Sequence, residues 1–404
     1  GGSALTVTSS AAGSLLFSAA VAGTVSIIGG TFTAPAATQR ALAFLDDISG
    51  TVSASDATFT SASMAITTPS AKTISGSITL NDVTASATAG TSHAFFVGGM
   101  SSATIKIHGG TYTGAHTGIN VAMTVDAGST ITLGGPALSV TGTTSMGLYF
   151  GALVAGKIVI NGGTFAAPTN DKYAFFVQAD MSGSLVASGA TFTSGSVAVY
   201  IGPGSTLSGT VKLHKCIATS TNEYYGFYIG LNSGATIEVV GGTFTGVTHG
   251  IYFSGALHSG STLTVSKASL NGGTHEALRF GGQVDGTVVI DSGSSLASTA
   301  NFALSFAGDL SATGKVRIEG SSLGNAGATG KNLIVFVTSC LGELTIKHST
   351  LTADAAAISV TAGDLSGKIS LSSCTVQSGG HGLHLQTITG GQVTVQMGKI
   401  TSTA

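Results

Sequence analysis

The 404-residue sequence predicts an all-β chain wound as a parallel β-helix (a β-solenoid) of about 15 coils, with three short strands in each coil. Three observations carry that prediction. The phrase in VSIIGGTFTAP at Val25 to Pro35 recurs as GGTYTG at Gly109, GGTFAA at Gly162, GATFTS at Gly189 and GGTFTG at Gly241. From Gly29 onward the copies start 80, 53, 27 and 52 residues apart, close to three, two, one and two times a unit of 26 to 27 residues. Within a unit, three apolar segments of four or five residues return in fixed order, separated by Gly, Ser, Asn or Asp.

The first strand is HAFFV at His93 and YGFYI at Tyr225; the second is ATIKI at Ala103 and ATIEV at Ala235; the third follows the Gly-Gly of the phrase. Alternation within the first strand turns its third and fifth residues to one side, as with Phe95 and Val97, Phe227 and Ile229, or Ile251 and Phe253. These are the most uniformly apolar positions and are expected to face inward. The fourth position then faces out, placing Phe96, Tyr149, Phe176, Tyr200, Tyr228 and Tyr252 along one stripe, which Asn120, Arg279, Ser305 and Ser359 interrupt. Small residues at the second position would leave that stripe flat and apolar, a candidate contact surface. The alternative is a strand turned the other way, with these rings in a core stack. On the third strand the Phe or Tyr points in, and pairs such as Thr31/Thr33, Thr58/Thr60, Thr111/Thr113, Thr191/Thr193 and Thr243/Thr245 point out. Segments DVTAS at Asp82, PALSV at Pro136 and KCIAT at Lys215 are expected to break this threonine ladder.

A longer period lies above the coil. Residues 21–50 align without a gap on 154–183 with 14 of 30 positions identical, and 93–119 align on 225–251 with 13 of 27 identical. Both offsets correspond to five coils. The chain therefore reads as one continuous solenoid with a partial leading coil at 1–20 and three modules at 21–153, 154–283 and 284–404. At about 4.8 Å per coil it would extend roughly 70 Å. It opens mid-coil at GGSALT and stops at KITSTA without a capping helix or charged run. Because a solenoid end exposes open strand edges, the expectation is either further repeats outside this sequence or rods that stack end to end. No targeting segment is visible at the start.

Composition narrows the function classes. Fifteen Lys and Arg against 17 Asp and Glu give a formal charge of -2, with no basic track for nucleic acid. No apolar run approaches the roughly 18 residues of a membrane-spanning helix, the longest being scraps such as LIVFV at Leu333. Cys216, Cys340 and Cys374 lack metal spacing and read as buried free thiols. There is no Asn-x-Ser/Thr acceptor for asparagine-linked glycan.

Units such as YGFYIGLNSGATIEVVGGTFTGVT at Tyr225 to Thr248 resemble the pectin-lyase-like right-handed β-helix superfamily, and the general layout resembles β-helical adhesin stalks. The resemblance covers nearly the whole chain and implies architecture more than activity. Enzymes of that superfamily use clustered aspartates, calcium and long loops that build a cleft. Here the 12 Asp and 5 Glu are mostly isolated and no insertion exceeds a few residues. Asp47, Asp180, Asp309 and Asp364 fall in equivalent turns and read as repeated Asx-turns. His381 and His384 stand three apart on a first strand, which alternation would send to opposite faces, against a metal site. The sequence thus predicts no catalytic residue, cofactor or metal.

The function expected is that of a non-enzymatic structural protein outside the cell or at its surface. It would be a filament protomer or adhesin shaft that associates with copies of itself, with a glycan or surface ligand as a further partner. Two alternatives are a carbohydrate-active enzyme or binder on the same fold, and an ice-binding face. The second rests on the resemblance of outward Thr-x-Thr ladders to those of some antifreeze proteins.

Overall fold

A computed structural model describes residues 6–8, 13–36, 38–68, 71–325, 329–396 and 398–402. In one coil the three strands are His93–Val97, Thr104–His108 and Thr111–Gly114. Each pairs in parallel with its counterpart one coil on: Phe95 opposite Ile119, Ile105 opposite Ile131, Tyr112 opposite Val140. The same step repeats through about 15 turns, so the strands gather into three parallel sheets, and no helix occurs among the described residues. On the second and third strands alternation sorts the side chains: Ile105, Ile107 and Tyr112 are buried, while Lys106 is exposed.

Contacts within the chain divide it into two compact units, residues 1–200 and 201–404, a boundary that falls inside the second sequence module. Both units are built from the same coil. In the first, Phe32 stacks on Phe59 and Phe165 on Phe192 beneath the third-strand sheet, with ring centroids 5.1 and 5.3 Å apart. In the second, Phe253, Phe280, Phe306 and Phe336 form a continuous inner stack at 5.0, 5.2 and 4.7 Å. Such ladders are how identical coils fill one interior: each ring meets its own repeat at a coil's height. Cys216, Cys340 and Cys374 are buried and form no disulfide. At the start of the chain Thr6–Thr8 pairs with the strand Thr31–Ala34, while Gly2 to Leu5 of the expected leading coil lie outside the described residues.

The recurring Gly-Gly-Thr is the turn into the third strand. Two residues before that strand the backbone is left-handed in coil after coil. The position is Gly29, Gly109 and Gly241 at φ 67°, 68° and 65°, but also Asp56, Asp82, Lys215, Lys267, His348 and Ser373 at 48–54°. A side chain in that conformation costs about 1 kcal/mol, so glycine is favoured but not obligatory. The second glycine of the phrase answers to a different constraint where it occurs: a Cβ on Gly242 would lie 2.0 Å from the Cys216 carbonyl oxygen.

Between first and second strands runs a fourth line of contact that sequence reading missed. Single-residue parallel bridges join Val21, Ile48 and Ile74, and again Leu257, Val284, Leu310, Cys340 and Leu365, all buried. Two of the aspartates expected to make Asx-turns bond to the next coil. Asp47 Oδ1 accepts the N–H of Thr73 at 2.8 Å and Asp309 Oδ1 that of Ser339 at 2.9 Å, each one coil on. They tie coil to coil, since the N–H two residues on in each one's own turn is already taken: Ser49 N donates to Val21 O and Ser311 N to Val284 O.

The first strand departs from simple alternation. Its third and fifth residues face in as predicted: Phe95, Phe150, Phe227, Ile251 and Phe253 are fully or almost fully buried. The second position does not share the outer face with the fourth. His93 pairs with Thr117 and Phe95 with Ile119, but Ala94 is skipped in the ladder. A Cβ on Gly250 would meet the Ala277 carbonyl oxygen at 2.7 Å and the Asn271 nitrogen at 2.9 Å, so this position turns into the corner against the third-strand backbone. The kink puts the first and fourth residues on the same outer face.

Candidate functional site

That outer face of the first-strand sheet carries the chain's aromatic chemistry, as two columns of rings. In the first unit Tyr149, Phe176 and Tyr200 stand in sequence, with centroids 5.6 Å apart for the first pair and 4.9 Å for the second. Tyr173, at the first position, packs on both Phe176 at 4.9 Å and Tyr200 at 4.5 Å. Asn120 separates Phe96 from Tyr149 in the register, and Phe96 instead meets His93 at 5.9 Å. In the second unit Tyr228 and Tyr252 meet edge to face at 5.6 Å, joined by Tyr225 at 5.4 and 5.1 Å.

The rings of the expected stripe stand on the outer side of the sheet, but they make a face that is neither flat nor simply apolar. Phe176 and Tyr228 are only 8% and 7% exposed because first-position rings lean over them. Phenol oxygens are engaged: Tyr228 donates to Ser254 Oγ at 2.6 Å, and Tyr149 donates to Gln178 Oε1. Burial, reinforced by the neighbouring tyrosines, pushes the Tyr225 hydroxyl up to about 12.

The first-position column (His93, Tyr173, Tyr225, His249 and Glu276) went unpredicted, although aromatic or polar residues three apart repeat through the sequence and would have shown it. The same kink corrects the expectation for His381 and His384: their rings stack at 5.7 Å on one face. Parallel stacked imidazoles do not converge on one ion, and among the described residues no group of three His, Cys, Asp or Glu could hold a metal.

Each unit also carries histidines on this face. In the first unit His93 contacts His116 at 5.6 Å between centroids, and its Nε2 lies 3.2 Å from Asn120 Nδ2. Burial first, and the adjacent His116 second, lower His93 to about 4; His116 is lowered by burial and by Lys172. In the second unit Glu276, 1% exposed, has Oε2 2.8 Å from His249 Nε2, while Arg279 Nη1 approaches the carboxylate at 3.5 Å. Arg279 also lies over the Tyr252 ring at 5.8 Å from its centroid. Burial alone would raise Glu276; the His249 hydrogen bond and the charges of His249 and Arg279 outweigh it and hold the carboxyl low. Burial is the leading influence on His249 and lowers it despite Glu276. This carboxylate is tied to its neighbours, an arrangement suited to locking a strand face.

The third-strand face differs between units. In the first, register aligns Thr6, Thr31, Thr58, Thr84, Thr111, Ser139, Thr164 and Thr191 in one column. Thr8, Thr33, Thr60, Ser86, Thr113, Thr141, Ala166 and Thr193 form the other. The breaks expected at DVTAS and PALSV are thus filled by hydroxyls. KCIAT does interrupt, with Ile217 opposite Thr243, and the second unit continues unevenly through Ser269/Asn271 and Ser295/Ala297.

The fold defines a parallel β-solenoid with side chains repeated in register on its outer faces. Comparison of the chain with protein-family models, with curated proteins and with solved structures returns no match. No helix among the described residues is long and apolar enough to cross a membrane.

Proposed function

We propose that this chain is a non-enzymatic structural protein that works outside the cell as the shaft of a filament or surface adhesin and associates with copies of itself. The observation that carries the reading is the pair of ring columns on the first-strand face of each unit. Partly exposed Tyr149, Tyr173, Tyr200, Tyr225 and Tyr252 repeat there at the coil spacing. A copy of the same face has the same period, so rings of one can seat between rings of another at many successive coils, and each small contact is multiplied. The clustered carboxylate belongs to a lock rather than an open acid or base, which favours a structural role over hydrolysis.

Sedimentation velocity over a wide concentration range tests this. The wild type is expected to form larger species as concentration rises, and a Tyr200→Ser, Tyr252→Ser double variant to stay at lower mass. A wild type of unchanging single mass would refute self-association through this face.

A second reading has one observation in its favour, the hydroxyl columns of the first unit. Spaced about 6.7 Å along each strand and about 4.8 Å between strands, threonine methyls and hydroxyls form a regular array able to order water. Thermal hysteresis measured on the protein, lost on Thr113→Lys, would support ice binding; none in the wild type would remove it.

A further inference from the structure

We propose that the His93–His116 pair makes the outer face of the first-strand sheet in the first unit acid-labile, so that mild acid unpacks the rings there while the coil interior stays folded. The inference rests on the fold alone and does not require that copies associate.

His93 is clamped on its outer face. Phe96 lies on its own strand, Thr117 and Asn120 on the next, and His116 in the turn that leads into that next strand. Its Nδ1 is buried without a hydrogen-bond partner, as is Asn120 Oδ1. A doubly protonated ring would present one N–H at Nδ1, which has no partner, and another at Nε2, which faces the Asn120 amide nitrogen and not its oxygen. The titratable or charged groups that bear on the pair are each other and Lys172, all of which are positive when protonated. No carboxylate stands among them to receive the charge.

The second unit provides an internal contrast. His249 also touches a second imidazole, His275, at 5.0 Å, but it has Glu276 at 2.8 Å and Arg279 beyond. Nδ1 of His249 is also buried without a partner, but a proton arriving at His249 finds the Glu276 carboxylate at its other nitrogen, whereas at His93 it finds an amide nitrogen and a second imidazole. Burial still lowers His249 despite Glu276, so acid also weakens the second cluster, but there a carboxylate reduces the effect and at His93 nothing does.

The sign follows from proton uptake. Exposed, His93 would titrate near 6.5; packed, it resists until about 4. Between those values an unpacked face binds a proton that the packed face refuses, so unpacking becomes easier as pH falls. At pH 4 the opening equilibrium is displaced by roughly 100-fold through His93 alone.

Near-ultraviolet tyrosine circular dichroism reads the outer faces of both units, through Tyr149, Tyr173 and Tyr200 in the first and Tyr225, Tyr228 and Tyr252 in the second, and the His93 and His116 variants isolate the first unit's share. The chain has no tryptophan, and of its 8 tyrosines only Tyr112 lies in the coil interior beneath the third-strand sheet. The titration from about pH 7.5 to about pH 4 is run at a concentration where sedimentation shows one species, with the far-ultraviolet β signal followed in parallel. The wild type should lose near-ultraviolet tyrosine signal between pH 6.5 and 4 and keep its β signal. A His93→Tyr, His116→Thr double variant, which takes the residue found at Tyr173 and Tyr225 for the first position, should shift that loss to lower pH or abolish it. His93→Gln alone should shift it part of the way. An unchanged wild-type signal down to pH 4, or the same midpoint in the double variant, would overturn the proposal.

Discussion

Single residues in this chain show what the repeat tolerates and what it does not. Tyr112 occupies the inward position held by Phe32, Phe59, Phe165, Phe192 and Phe244 in other coils, and its hydroxyl is buried without a partner. Burial accordingly drives its ionisation up, well beyond the ordinary phenol range. Tyr112→Phe should stabilise the first unit by about 1 kcal/mol, since it removes a desolvated hydroxyl and keeps the ring. Urea unfolding of the two proteins checks it. At the left-handed turn, Lys215→Gly or His348→Gly should each add about 0.5–1 kcal/mol, because the native φ of 53° or 48° strains any Cβ. Gly242→Ala should instead destabilise by 2 kcal/mol or more (~), as its methyl would strike the backbone at Cys216. Equal effects of all three glycine-site changes would mean that the turn is set by something other than local geometry.

At the scale of the element, the first strand is where the sequence was read correctly in part and wrongly in part. Inward Phe95 and Val97 were legible because apolar residues alternate with period two, and the second and third strands were legible for the same reason. The first-position column was not, because the skipped pairing at Ala94 adds a kink that no periodicity announces. Only the repeated spacing of His93 with Phe96, Tyr173 with Phe176 and His249 with Tyr252 carries its trace. Likewise the Asp47 and Asp309 turns looked local because their partners, Thr73 and Ser339, are a whole coil away in sequence. The hydroxyl columns looked broken because Thr84 and Ser139 lie in segments without the phrase, and only register shows that they align. Within this element Glu276 is the strongest single lever. Glu276→Ala would leave His249 and Arg279 without their anion, at a loss of about 3 kcal/mol in the second unit. Glu276→Gln, which keeps shape and one acceptor, should lose less. Chemical denaturation of both variants separates a charge lock from simple packing, which would make the two losses equal.

For the whole molecule, 8% charged residues and repeated coils leave few features except the dressing of three outer faces. The first-strand face carries rings, the third-strand face of the first unit carries hydroxyls, and much of the charge sits on the second-strand face of the second unit. There Lys212 pairs with Glu238 at 2.8 Å, and Arg317 lies between Asp291 and Glu319. Exposed pairs of this kind add little to stability, about 0–1 kcal/mol each, but they keep that face hydrated. The association proposed above would use the ring-bearing face of each unit. Electron microscopy of the concentrated protein beside the Tyr200→Ser, Tyr252→Ser variant tests this most directly. The account predicts filaments or laterally bundled particles for the wild type and dispersed particles for the variant. Dispersed, uniform wild-type particles at every concentration would contradict it.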